Sequence, residues 1–302
     1  MRGMSPFDDL RALLSDLPAG REPVQPAPGL GRLGEVASWV SRWIERRPLE
    51  LRRPVIAIYA GANGVVARTG AATRERLETI AAGAAVVNGF AQTLGAGLDA
   101  FDLAIDRPTP DITRQAAMSE KACAATVAFG MEALAKSPDI LLVDAIGEGS
   151  GIAAAAVACA LQGGEPDDWS AAGGSEVVAA GVTRVGPGDP LRLLAELGGR
   201  EIAAAAGAIV AARVQSVPVI LDGYGAAAAA AVLHALNPKA LEHCLAGNVS
   251  AHPGHRRLLQ ALGMRPLLDL GLDAGEGAGA AAALALVRLA CAAPLAPESA
   301  VG

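Results

Sequence analysis

Four times along this chain a short apolar run ends in glycines and small polar residues, then passes into an alanine-rich segment of helical length. The instances are Val55-Ile-Ala-Ile-Tyr59 into Gly61-Ala-Asn-Gly64, Ile140-Leu-Leu-Val143 into Gly147-Glu-Gly-Ser-Gly151, and Val217-Pro-Val-Ile-Leu221 into Asp222-Gly-Tyr-Gly225. The fourth is Leu267-Leu-Asp-Leu270 into a glycine-rich turn over 271–279, with a helix predicted over 280–290. Phe101-Asp-Leu-Ala-Ile105 reads as a further strand. Strands that are apolar throughout are buried on both faces, as in parallel sheets covered by helices on either side. The predicted fold class is therefore α/β. In such sheets the turns after strand C-termini gather along one edge, where ligands bind. The glycine turns are thus expected to converge despite their separation in sequence.

A chain of 302 residues can form one large α/β unit with a smaller appended region. Residues 51–280 read as the α/β core, and residues 1–50 with 281–302 as a helical arm or subdomain. The Pro-rich stretch 21–28 suits an arm lying over the body, and 35–46 carries Val36, Trp39, Val40 and Trp43 at helical spacing. That stripe reads as packing, with a subunit contact as the alternative. A net charge of -6 and no run of Lys or Arg argue against a nucleic-acid surface. Cys123, Cys159, Cys244 and Cys291 form no CxxC pair, and the four histidines show no HExxH spacing. Free thiols, no metal and a reducing compartment are expected. The N-terminus has no apolar stretch of signal-peptide type. The most apolar runs, 202–212 and 277–287, fall short of the ~20 residues a bilayer needs, so no membrane partner and a cytoplasmic location are expected.

Two turns share the pattern GEGxG, at 147–151 and 275–279. In the second, Glu276 stands between Gly275 and Gly277 where a turn meets a helix start. A charge flanked by glycines has no neighbouring side chain to pack on, and the turn amides point where an anionic ligand would lie. Glu276 reads either as a catalytic carboxylate or as a helix N-terminal acid stabilised by about 0.3–1 kcal/mol. Neither turn meets the dinucleotide fingerprint GxGxxG, and GxxxxGK[ST] and GxSxG are both missing. Adjacent acids after a strand are missing too, since Asp167-Asp168 lies in a polar loop. What remains is a site without metal or cofactor, made of glycine turns and one carboxylate. Such a site suits an anionic substrate and a single proton transfer.

At Leu197-Gly-Gly-Arg-Glu-Ile-Ala-Ala, Pro218-Val-Ile-Leu-Asp-Gly-Tyr, Gly247-Asn-Val-Ser-Ala-His-Pro-Gly-His255 and Gly275-Glu-Gly-Ala-Gly, the chain resembles the nicotinate-nucleotide-dimethylbenzimidazole phosphoribosyltransferase family. Agreement extends to Phe101-Asp-Leu-Ala-Ile, Asp111-Ile-Thr and Ser119-Glu-Lys-Ala-Cys-Ala-Ala-Thr, and spans roughly residues 5–292. The resemblance implies a Rossmann-like parallel sheet flanked by helices, a small helical subdomain and a homodimer. It implies phosphoribosyl transfer from nicotinate mononucleotide to 5,6-dimethylbenzimidazole or a related azole, as in cobalamin biosynthesis. It also implies that Glu276 is the general base, in a dry apolar pocket that raises its proton affinity. The substrate-holding turns it implies are Gly147, Glu148, Gly149 and Ser150; Gly173, Gly174 and Ser175; Gly247 and Ser250; and Gly275 and Gly277, with Asp222. A different small-molecule enzyme on the same fold is a further reading, with His255 and Asp222 as candidate participants. For His255 the alternative is a surface residue at a helix start, and for Asp222 a turn or capping acid.

Several positions depart from the family pattern. Ala145 replaces a Glu, Gly149-Ser-Gly151 replaces hydroxyl and amide donors, and no lysine lies between Lys136 and Lys239. The segment that lines the family's aromatic-base pocket is here Thr69-Gly-Ala-Ala-Thr-Arg-Glu-Arg-Leu77, which is partly charged. His252 stands where Glu is usual, and Asp273 where a basic residue is usual. These departures leave a second reading, a paralogue that binds a nucleotide or a benzimidazole-like ligand without turnover.

Overall fold

The computed structural model describes residues 5–66, 69–272 and 274–293. Asp273 and the end of the 281–302 segment lie outside the described residues. Five strands form one parallel sheet: β1 (Pro54–Ala62), β2 (Gly97–Asp102), β3 (Ile140–Glu148), β4 (Val219–Asp222) and β5 (Cys244–Ala246). Their order is β2-β1-β3-β4-β5. The chain lays β2 on one side of β1 and then crosses to β3 on the other, so the direction of progression reverses between β1 and β3. In open parallel sheets the C-terminal ends of two such strands are where ligands bind.

Side chains alternate along each strand, and both sets are apolar. Val55, Ala57 and Tyr59 join one core cluster while Ile56, Ile58 and Ala60 join the other. Leu141 and Val143 pair with the first set, Ile140 and Leu142 with the second. One face is covered by α2 (Arg32–Ser41), α3 (Ala71–Ala81), α4 (Val86–Leu94) and α12 (Ala278–Ala292). On the other lie α1 (Asp8–Ser15), α5 (Glu120–Gly130), α6 (Ser150–Gln162), α7 (Ser175–Val185) and α8 (Pro190–Leu197). The same layer holds α9 (Arg200–Val214), α10 (Gly223–Leu236) and α11 (Pro253–Ala261). Helix α12 runs unbroken across the 280/281 division drawn from the sequence. Among the described residues no helix is long and apolar enough to cross a membrane.

Three sequence expectations change. Residues 267–270 form no strand. Leu267 and Leu268 donate amides to the carbonyls of Ala246 and Gly247, but Leu270 is 63% exposed. The strand position beside β4 is taken by Cys244-Leu-Ala246, too short to stand out in the sequence. The strand expected at 101–105 begins earlier, at Gly97, and leaves the ladder at Asp102 before a left-handed Ala104. The helix expected over 35–46 is α2, displaced toward the N-terminus. Trp43 lies beyond it, buried under the Arg213 guanidinium at 4.7 Å.

Small residues let the layers approach. Residues 201–213 of α9 are buried on every side of the helix. A Cβ at Gly207 would lie 1.8 Å from the Val127 carbonyl oxygen, and one at Gly130 would lie 1.9 Å from that of Ala204. The α5 and α9 backbones thus touch at these glycines, and the Tyr59 hydroxyl closes the contact by donating to the Gly130 carbonyl at 2.6 Å. Gly207→Ala must force this crossing apart, at a cost of about 1–3 kcal/mol. Thermal and urea unfolding should show a clearly lowered midpoint, and an unchanged midpoint would contradict the close crossing.

Candidate functional site

The turns after β1, β3, β4 and β5 meet along the C-terminal edge of the sheet, joined by the turn before α12. At the switch point, β1 and β3 approach so closely that a Cβ at Gly147 would sit 2.0 Å from the Gly61 carbonyl oxygen. With its φ of 147°, this position takes only glycine.

Glu276 lies on the most strained turn of the edge. Gly275, Glu276 and Gly277 have φ values of 63°, 59° and 78°, three left-handed residues in succession. The conformation is costly for the one that bears a side chain. At Gly277 a Cβ would also meet Ile56 Cγ2 at 2.8 Å. The Glu276 side chain is 14% exposed, and Arg76 of α3 donates from Nε to its Oε1 at 2.7 Å. The pocket is therefore not the dry apolar one expected: an arginine from the charged segment 69–77 forms one of its walls. Among the described residues, Oε2 receives no hydrogen bond from the protein.

Two carboxylates beneath hold this turn. The Gly277 amide donates to Asp144 Oδ2 at 2.8 Å, and the Ala280 amide donates to Asp222 Oδ2 at 3.0 Å. Asp222 thereby caps α12, while its own helix α10 receives no side-chain cap from it. Both aspartates are 3% exposed. Burial pushes the proton affinity of each up, Asp144 to about 7, where the neighbouring Asp222 adds to the effect. Amides of Gly277 and Ala145 and the charge of Arg76 oppose the shift at Asp144. The Ala280, Gly279 and Gly223 amides and Asn248 oppose it at Asp222.

The remaining predicted turns adjoin this centre. Gly247 lets α12 close on β4, since a Cβ there would lie 2.7 Å from Ile220 Cγ2 and 3.1 Å from Ala280 Cα. Gly149 and Ser150 start α6, and Gly173, Gly174 and Ser175 lead into α7 beside it; the Cβ position of Gly174 is 3.5 Å from Ile152. Ser250 and His252 line a cavity of about 270 Å³ with Arg256 and Asp269. The His252 ring packs on Tyr224 at 4.5 Å and against Gly151 at the start of α6. Glu148 turns away from its own loop to cap α3, accepting the Ala72 amide at 3.1 Å. His255 is not the surface residue of the alternative reading. It is 2% exposed, and its Nδ1 accepts the Ser250 amide at 3.0 Å.

Three contributors escape a reading of the sequence. Asp144 carried a usable signal, because Ile140-Leu-Leu-Val-Asp144 ends in an acid as Val219-Ile-Leu-Asp222 does. Arg76 carried none, since only the packing of α3 brings it to Glu276. Glu201 is fully buried at the start of α9 and accepts Asn63 Nδ2 at 2.8 Å beside Gly61 and Gly199. Burial raises its proton affinity, against the bond from Asn63.

A phosphoribosyltransferase family model matches residues 20–296. The nicotinate-nucleotide–dimethylbenzimidazole phosphoribosyltransferase of Brucella anthropi is 44% identical over 314 aligned residues, covering 94% of this chain and 93% of that protein. The protein of the same name from Brucella melitensis biotype 1 is 45% identical with the same coverage. The crystal structure of the Thermus thermophilus protein of that name superposes with a TM-score of 0.82 at 30% identity. The match covers 95% of this chain and 94% of that one.

The buried histidine makes the turn after β5 acid-sensitive. Burial holds His255 down at about 4, against about 6.5 in an unfolded chain. Between those values the unfolded state binds a proton that the folded state refuses, so stability is lost as pH falls from about 6.5 toward about 4. His255→Asn retains an acceptor for Ser250 and should make that decline shallower by up to about 1.4 kcal/mol per pH unit. Urea titrations from about pH 4.5 to 7 on both proteins measure the difference; identical slopes would contradict the assignment.

Proposed function

This chain belongs to the nicotinate-nucleotide–dimethylbenzimidazole phosphoribosyltransferase family, and we propose that it moves the phosphoribosyl group of nicotinate mononucleotide onto 5,6-dimethylbenzimidazole with Glu276 as general base. One ring nitrogen of the azole attacks C1′ and forms the new C–N bond. The bond from C1′ to the pyridinium nitrogen breaks, and its electron pair neutralises that nitrogen as nicotinate departs. The other azole nitrogen gives its proton to Glu276, which keeps the attacking ring from accumulating positive charge. The products are α-ribazole phosphate and nicotinate.

The observation that carries this reading is the Glu276 carboxylate itself. It stands on a strained turn at the ligand-binding edge of the sheet, fixed at Oε1 by Arg76, with Oε2 unclaimed by the described residues. The starts of α6 and α7 offer backbone amides to the mononucleotide phosphate. Gly147, Gly149 and Ser150 border it on one side and Gly173, Gly174 and Ser175 on the other, with Gly247 and Ser250 completing the rim. We also read the chain as a cytoplasmic homodimer, in line with its resemblance; light scattering that gives the mass of one chain would overturn the dimer.

Incubation of the protein with nicotinate mononucleotide and 5,6-dimethylbenzimidazole should release nicotinate. Glu276→Gln, nearly isosteric, should lower kcat by about 10²–10⁴ with little change in KM. A Gln variant that retains the rate removes Glu276 as base. A wild-type protein that binds the mononucleotide in calorimetry yet releases no nicotinate removes the reaction.

A further inference from the structure

Asp144, within β3, and Asp222, the last residue of β4, close the β3–β4 ladder as register partners, so their side chains project side by side toward α12. Each is shut off from water, and among the described residues neither forms an ion pair of its own; Arg76 is bonded to Glu276. Two carboxylates side by side in such a place cannot both stay ionised, and one proton between them removes the repulsion. The space around them is cut to fit. A Cβ at Gly223 would lie 2.9 Å from Asp144 Oδ1, and one at Gly279 would lie 2.6 Å from Asp222 Oδ1. Asp144 accepts the amides of Ala145 and Gly277 and Asp222 that of Ala280; Gly277 and Ala280 are the residues one and four beyond Glu276.

We propose that Asp144 and Asp222 are the positioning residues for Glu276, a carboxyl pair that shares one proton and hangs the left-handed Glu276 turn from the last rung of the β3–β4 ladder. The proposal rests on the reading of Glu276 as the base. Loss of the shared proton leaves two adjacent buried charges, which drives β3 and β4 apart at this rung and slackens the turn. Catalysis therefore has an alkaline limit that belongs to the pair. The charged group facing it is Arg76 from α3, itself bonded to Glu276. The starts of α10 and α12 present backbone amides, and the segment after β5 presents the neutral Asn248.

The test uses the full chain with Asp144→Ala, Asp144→Asn and Asp222→Asn. Asp144→Ala should lower kcat by about tenfold or more while KM for nicotinate mononucleotide moves less than about threefold, because the turn serves the chemical step rather than binding. Asp144→Asn, which restores an acceptor oxygen for Gly277, should recover most of that loss. Both Asn variants should lose the wild-type fall of kcat on the alkaline side. An Asp144→Ala protein with the wild-type kcat, or Asn variants with the wild-type alkaline limb, overturns the proposal.

A second arm needs no turnover, so it separates this proposal from the reaction it rests on. A carboxyl whose proton affinity is raised on folding contributes stability that is fully present below its unfolded pKa and is lost as pH rises through the folded value. The pair should therefore contribute a loss of stability as pH rises from about 4 to about 7, opposite in sign to the His255 contribution, and Asp144→Asn should remove that contribution and change the pH slope accordingly. Hydrogen exchange at the Gly277 amide should be slow in the wild type and in Asp144→Asn, and fast in Asp144→Ala. If the wild type shows no turnover, the reaction falls and this arm alone decides the pair; equal pH slopes, or equal exchange in Asp144→Ala, overturns it.

Discussion

Two backbone amides of the α12 region, given to two buried carboxylates on the last rung of the β3–β4 ladder, tie the C-terminal edge of this sheet together. Placing a carboxyl group in a water-free interior is unfavourable by several kcal/mol unless its oxygens are bonded. Here the bonds come from the turn that carries Glu276 and from the unpaired amides at the start of α12. Each side satisfies a need of the other. The carboxyl groups would be intolerable without the amides, and the left-handed turn would relax without the carboxyl groups.

The composition makes this arrangement possible. Alanine and glycine allow α9, α10 and α12 to lie almost directly on the sheet and on one another, so strand ends and helix starts come within hydrogen-bonding distance. Gly247 shows how little room is left, with Ile220 on one side and the α12 backbone on the other. Larger side chains at such positions would move α12 outward, and its amides would no longer reach Asp144 and Asp222.

The segment after β1 gives the site its individual character. Where the resembling family has an apolar wall, this chain builds α3, capped by Glu148 and carrying Arg76 to Glu276. The charged wall and the relocated Glu148 are one change seen twice: the carboxylate that caps α3 fixes the helix that delivers the arginine. Likewise His252 lies between Tyr224 and the start of α6, so its ring faces the turn over which the phosphate is proposed to sit.

The sequence by itself determined the layered α/β fold, and it singled out Glu276 and the glycine turns as the candidate site. The reason is local: continuous apolar runs, glycine turns and a carboxylate between two glycines are readable residue by residue. It did not reveal β5, because three residues beside β4 form a strand only where a neighbour already exists. Nor did it show that Leu267-Leu-Asp-Leu270, apolar enough for a strand, would run along the surface with Leu270 exposed. Only the tertiary structure decided what surrounds Glu276. Arg76 lies 200 residues away in the chain and the Asp144–Gly277 bond spans 133. Such contacts follow from strand register and helix packing, which no local pattern encodes.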